Sequence, residues 1–125
     1  MTKTAPDQNI RIASLGGTAV VTACGEIGYA NAAQLQEALV SAAGAQVLVV
    51  ADMSGTDFCD SSGVAALITG LKHARAAGGD LRLVIGADAI RRIFKLTGAD
   101  RILKCYDSLP AALAAALAGD PPLRP

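Results

Sequence analysis

The spacing of apolar positions along this chain changes period several times, and each change marks an element. In "IRIASLGGTAVVTACGEI" two strand-like runs flank Gly16-Gly17, and a glycine pair tolerates the positive φ angles of a tight hairpin turn. "NAAQLQEALVSAAG" switches to helical spacing. Ala32, Leu35 and Leu39 recur on one face, Asn31 stands at the N-cap position and Gly44 at the stop. "QVLVVADMS" is a continuous apolar run, the pattern of a strand buried on both faces of a sheet. Val64, Leu67, Ile68 and Leu71 then form an i, i+3, i+4, i+7 helical stripe. Lys72, His73 and Arg75 close that helix, where cations complement its C-terminus, and Gly78-Gly79 ends it.

The second half repeats the alternation. "DLRLVIG" reads as a strand. "DAIRRIFKLTG" reads as a helix capped by Asp88, with Ile90, Ile93 and Phe94 on one face and Gly98 as the stop. "RILKCYD" is a short last strand. "SLPAALAAALAG" is a last helix with Ser108 as N-cap and Pro110 in the first turn, where a missing N–H costs little. Strands alternating with helices need crossover connections and hence a largely parallel sheet. The expectation is one α/β domain over residues 10–118, with a mixed, mostly parallel sheet of about five strands, about four helices and a leading β-hairpin. Residues 1–9 and 119–125 are expected to be flexible ends.

Composition narrows the function. The chain has 125 residues, 52% of them hydrophobic, which suits one domain with an ordinary core. Aromatics are only 3% and formal net charge is zero, which argues against base stacking and against bulk-charge attraction to nucleic acid or membrane. Cys24, Cys59 and Cys105 are scattered without a CxxC pair, so no zinc site is expected. They suit a reducing compartment, with burial as their ordinary use and a redox role as the alternative. "MTKTAPDQN" has no apolar core of a secretory signal, and no run is long enough to span a bilayer. A cytoplasmic protein without membrane insertion is expected.

One junction carries most of the candidate chemistry. "TDFCDSSGVAAL" places Asp57, Asp60, Ser61 and Ser62 between a strand and a helix, with Asp52 and Ser54 just upstream. Phosphate loops of the Gly-rich type and a GxSxG nucleophile elbow are absent. His73 lies about 18 Å along the helix axis from Ser61 and cannot activate it. Catalysis therefore lacks a base, and no cofactor is expected. Asp52, Asp57 and Asp60 lack a DxD pair, position 54 being Ser, so no metal site is expected. Asp60 or Ser61 can cap the helix, a contribution of about 1 kcal/mol. One cap residue suffices, so the second hydroxyl is left without a role. Gly63 leaves room in the first turn, and a helix N-terminus tolerates a phosphate. Ser61 fits a phosphoacceptor at least as well as a cap.

At these residues a resemblance becomes plain. "VVADMSGTDFCDSSGVAALITGLKHARAAGGDLRLV" resembles the STAS domain of bacterial anti-sigma factor antagonists. The carrying motifs are Asp52-Met53-Ser54, Phe58, Asp60-Ser61-Ser62-Gly63 and Ala76 to Gly79. "AIRRIFKLTGADRIL" and "GEIGYANAAQLQEAL" extend the similarity over about Val20 to Leu113. The resemblance implies a stand-alone STAS fold and a non-enzymatic binding module. Its implied partner is an anti-sigma factor that is also a serine kinase of ATPase-like fold, bound when the antagonist is unphosphorylated. The implied phosphoacceptor is Ser61, with Ser62 second, and a serine phosphatase resets it. The implied partner surface is Ser54, Gly55, Thr56, Asp57, Asp60, Ser61, Ser62 and Gly63. The implied outcome is control of sigma-factor-dependent transcription. One departure stands out: Gly28 occupies the place of an acidic residue usual in the family. STAS-like domains also serve as accessory or scaffold subunits of transporters and stress-sensing complexes, which is the alternative role.

Overall fold

A computed structural model of the chain describes residues 9–117. The expected flexible ends, apart from Asn9, lie outside the described residues; the Asn9 carbonyl accepts from the Cys24 N–H at 2.9 Å. The chain begins with an antiparallel hairpin, β1 (Ile10–Leu15) and β2 (Thr18–Ala23). Gly16 and Gly17 turn it at φ +55° and +87°, the left-handed conformations that a two-residue hairpin turn of this type requires. A short β3 (Gly25–Ile27) leads to α1 (Ala32–Ala45). Then follow β4 (Leu48–Met53), β5 (Thr56–Cys59), α2 (Ser61–Ala76), β6 (Asp80–Ile85) and α3 (Asp88–Thr97). A 3-10 turn (Ala99–Arg101), β7 (Lys104–Tyr106) and α4 (Leu109–Leu117) complete the described chain.

The main sheet has five strands in the order β1-β2-β4-β6-β7, parallel except for the leading hairpin. This is the α/β arrangement expected from the alternation of strand and helix periods. β4 is buried on both faces, as its unbroken apolar run required: Val49 and Ala51 face one core and Val50 the other. On the first face Leu35 and Leu39 of α1 meet Leu67 and Leu71 of α2 over Val21, Val49 and Leu83. Each such leucine contributes about 1.5–3 kcal/mol by leaving water. On the second face α4 lies on β4, β6 and β7, with Ala112 among Val20, Val50 and Val84.

Several local expectations are corrected. β3 and β5 form a separate two-stranded parallel sheet, so the segment between β4 and the second helix holds a strand of its own, Thr56–Cys59. Gly44 does not stop α1, which runs through Ala45. A helix interior tolerates one glycine at a cost of about 1 kcal/mol. Asn31 precedes α1, but its side chain makes no cap bond. Its amide is spent on the connection before the helix, accepting from the Gly28 N–H and donating to the Glu26 carbonyl, both at 2.9 Å. Asp88 is the first helical residue of α3, with Ala87 at the cap position. Ser108 does cap α4, its Oγ accepting from the Ala111 N–H at 3.2 Å.

Candidate functional site

The site is assembled where β3 and β5 deliver their C-terminal ends beside the start of α2. Asp52 Oδ1 accepts from both the N–H (3.0 Å) and the O–H (2.7 Å) of Ser54, an Asx turn that folds the chain from β4 into β5. Asp52 is thus a turn residue, and the Ser54 hydroxyl is committed to it. The Gly55 carbonyl accepts from the Gly25 N–H at 2.9 Å, joining β3 to the start of β5. Thr56 is buried, and its hydroxyl donates to the Ala23 carbonyl at 2.7 Å. Thr56 therefore holds β5 in place and presents no surface to a partner.

Asp57 and Phe58 point outward, and Cys59 turns back into the core. β5 spans about 10 Å, so Ser54 and Gly55 lie at the end of the strand away from Ser61. Of the eight residues grouped by resemblance, Thr56 and Gly63 are buried, Asp60 and Ser62 half-buried, and Ser54, Gly55, Asp57 and Ser61 exposed. Phe58, Asp60, Ser61 and Ser62 gather at one end, and Asp57 lies along the strand.

Asp60 organises that end. Its Oδ1 accepts from the N–H groups of Ser62 (2.8 Å) and Gly63 (3.3 Å), capping α2. Its Oδ2 accepts from the Tyr29 N–H at 3.3 Å, across the gap from the β3–α1 connection. The helix start and that connection therefore share one carboxylate. With capping done by Asp60, Ser61 is the first helical residue, exposed, and its hydroxyl has no hydrogen-bond partner among the described residues. Ser62 is half-buried.

Gly63 differs from expectation. The space beside it is filled, not open: a Cβ there would stand 2.6 Å from Cys59 Sγ and 3.0 Å from Ile27 Cγ2. Glycine is required because α2 begins in direct contact with β3 and β5, which fixes Ser61 relative to Phe58.

The surroundings include residues that the sequence did not single out. A surface cleft of about 350 Å³ opens beside Ser61, lined among others by Glu26, Gly28, Tyr29, Phe58 and Asp60. Tyr29 is 88% exposed and Phe58 49%. A Cβ on Gly28 would lie 3.1 Å from Asp60 Oδ2 and 3.7 Å from the Phe58 ring. The departure at position 28 thus falls at the cleft itself. The available signal was an aromatic in the polar turn "GYAN" of a chain with two Tyr and two Phe.

The thiols are disposed differently from one another. Burial, and secondarily the Asp60 charge, pushes the Cys59 thiol up to about 11. Burial and then Asp100 push Cys105 up to about 11 as well, against a lowering influence of Arg91. Such thiols stay protonated and unreactive near neutrality. Cys24 is exposed. His73 is exposed on the last turns of α2, away from Ser61. Among the described residues no group of three His, Cys, Asp or Glu side chains is placed to hold a metal, and no helix is long and apolar enough to cross a membrane.

Comparison with known proteins decides the family. The STAS domain model matches residues 9–112. The chain belongs to the STAS domain family. A Mycobacterium tuberculosis protein named as an anti-anti-sigma factor, Rv2638, is 33% identical over 108 residues, covering 83% of this chain and 72% of that one. A crystal structure of an anti-sigma factor antagonist from Mycobacterium paratuberculosis matches with TM-score 0.79 and 30% identity, over 90% of this STAS chain and 97% of that chain. The Bacillus cell fate determinant SpoIIAA in its phosphorylated form shares the fold, with TM-score 0.67 and 19% identity over 86% and 98% of the two chains.

Proposed function

We propose that this STAS domain is a cytoplasmic anti-sigma factor antagonist that binds an anti-sigma factor with serine kinase activity and is released by phosphorylation at Ser61. The observation that carries the reading is the division of labour at the start of α2. Asp60 satisfies the helix N-terminus, which leaves the Ser61 hydroxyl exposed on a rigid turn. Ser62, half-buried, is the second candidate. The names of the relatives from the two mycobacteria support the role of antagonist. The reading is regulatory, since the Asp60 carboxylate beside Ser61 is committed to capping and His73 is about 18 Å along the helix. A serine phosphatase completes the cycle, and the output is access of a sigma factor to transcription.

The physics of release follows from the setting. A phosphate adds a charge of about −1.5 to −2 at neutral pH. Beside it stand the Asp60 carboxylate and the exposed rings of Tyr29 and Phe58. The Asp60 carboxylate repels that phosphate in the free domain and in the complex alike, so release comes from what the partner brings against the charge pair. Closing a partner over such a pair also strips water from a dianion against aromatic surface. A desolvation cost of about 3 kcal/mol on closing is roughly a hundredfold in Kd. Ser61 stands exposed at the first position of α2, so a phosphate there needs little internal rearrangement.

The test is phosphorylation by the ATP-loaded partner kinase followed by tryptic mass spectrometry. Modification at Ser61, abolished by Ser61→Ala with kinase binding retained, is the expected result. Modification elsewhere with Ser61 untouched refutes the assignment.

A further inference from the structure

The cleft beside Ser61 has a composition that ordinary surface does not. The chain has four Phe and Tyr residues in all. Phe94 is fully buried and Tyr106 half-buried, while the two well-exposed ones, Tyr29 and Phe58, both line this cleft. Glu26 and Asp60 line it too, and neither has an ion-pair partner among the described residues. Gly28 keeps the space open, because any side chain there would stand against Asp60 Oδ2 and the Phe58 ring.

Aromatic faces beside unpaired carboxylates select a flat cation. A guanidinium stacks on a ring through its face and donates to carboxylates through its edge, which an ammonium or an aliphatic side chain cannot do together. We infer that the Tyr29–Phe58 cleft is a seat for an arginine side chain of the protein partner, with Glu26 and Asp60 as its carboxylate acceptors. The inference rests on reading this corner as a partner surface and adds the chemistry of the group received. The seat gives orientation: it holds an arginine beside α2 so that the partner's remaining surface lies over Ser61. Ser61 adjoins the seat through Asp60, and phosphorylation acts through the surface that must close over Ser61 and desolvate the phosphate. Glycine at position 28 is the specificity determinant, since it leaves the seat empty for the partner to fill.

The experiment needs no kinase. The full chain, labelled with 15N, is titrated with N-acetyl-arginine-methylamide and, separately, with the uncharged isostere N-acetyl-citrulline-methylamide. The arginine compound should shift the amides of residues 28–31 and 58–60 saturably, and the citrulline compound should not. Glu26→Gln and Phe58→Ala should each weaken that binding roughly three- to tenfold. Glu37→Gln, an exposed acid on α1 outside the cleft, should leave it unchanged. Gly28→Ala, whose backbone lies outside the positive-φ region, should crowd Asp60 Oδ2 and weaken the binding while the amide spectrum stays folded. No shifts, equal shifts from citrulline, or shifts spread over all exposed carboxylates overturn the inference. Saturable arginine binding with Ser61 refractory to the kinase would refute the phosphoswitch and keep the seat; the converse would do the reverse.

Discussion

The carboxylate of Asp60 and the backbone N–H of Tyr29 meet at 3.3 Å, although the residues lie 31 positions apart. The same carboxylate caps α2 at 2.8 Å through Ser62. One side chain therefore ties the modifiable helix start to the turn that displays Tyr29. The consequence is a separation of roles between neighbours: Asp60 carries structure and Ser61 is free for chemistry.

Substitution should expose that separation. Asp60→Ala removes the cap and the bond to Tyr29, with an expected loss of about 1–2 kcal/mol. Asp60→Asn keeps a side-chain oxygen for capping and should lose much less, since Asn and Asp are comparable N-caps. Ser61→Ala should stay within about 0.5 kcal/mol of the parent, because its hydroxyl has no hydrogen-bond partner among the described residues. Urea unfolding of the three variants measures all of this. A Ser61→Ala loss equal to that of Asp60→Ala would mean that Ser61 is the cap.

Gly63 predicts a packing effect that runs against helix propensity. Alanine favours a helix over glycine by about 1 kcal/mol. Here its methyl would stand 2.6 Å from Cys59 Sγ and 3.0 Å from Ile27 Cγ2. Gly63→Ala should therefore destabilise the domain, by about 1–3 kcal/mol for such overpacking. Cys59→Ala in the same chain removes the closer clash. The double variant should recover part of the loss, which a double-mutant cycle reads as coupling between positions 59 and 63. Simple additivity of the two would show that the contact is relaxed elsewhere.

Thr56 sits within the motif but below the surface. Its hydroxyl is buried and donates to the Ala23 carbonyl at 2.7 Å. Thr56→Val keeps the shape and leaves that carbonyl without its side-chain donor, with an expected cost of about 1–3 kcal/mol. Ser54→Ala, at an exposed turn, should cost less. If Thr56→Val instead weakens partner binding at unchanged stability, Thr56 belongs to the contact surface after all.

Much of this was legible from apolar spacing. β4 declared itself by having no polar face until Asp52, and α2 by the stripe Val64, Leu67, Leu71. β3 and β5 did not, because they are three and four residues long and pair across the chain. In β5 Thr56 and Cys59 turn inward while Asp57 and Phe58 turn outward, so the period-2 signal never appears. Asn31 has the residue type of a cap, but residue type does not reveal that Gly28 and Glu26 occupy its amide. Gly63 was read as space for the same reason: what fills it, Cys59 and Ile27, comes from other strands. The serine pair was legible as unusual, but which residue caps the helix needed the geometry of Asp60.

The three cysteines should separate by reactivity and by pH. Cys24 is exposed, whereas Cys59 and Cys105 are held up to about 11 by burial, with Asp60 and Asp100 adding to it. A disulfide reagent near neutral pH should modify Cys24 rapidly in the folded chain, half-buried Cys105 more slowly, and buried Cys59 at the rate of opening, and denaturant should equalise them. Thiols with raised folded pKa values also set the sign of a stability change. Unfolding restores an ordinary value near 9, so the unfolded chain holds fewer protons than the folded one between about pH 9 and 11. The contribution is fully present below pH 9 and is lost as pH rises through the folded values. Urea midpoints should therefore fall across that window, and a Cys59→Ala, Cys105→Ala chain should fall less steeply. Equal slopes in the two chains would place the alkaline sensitivity elsewhere.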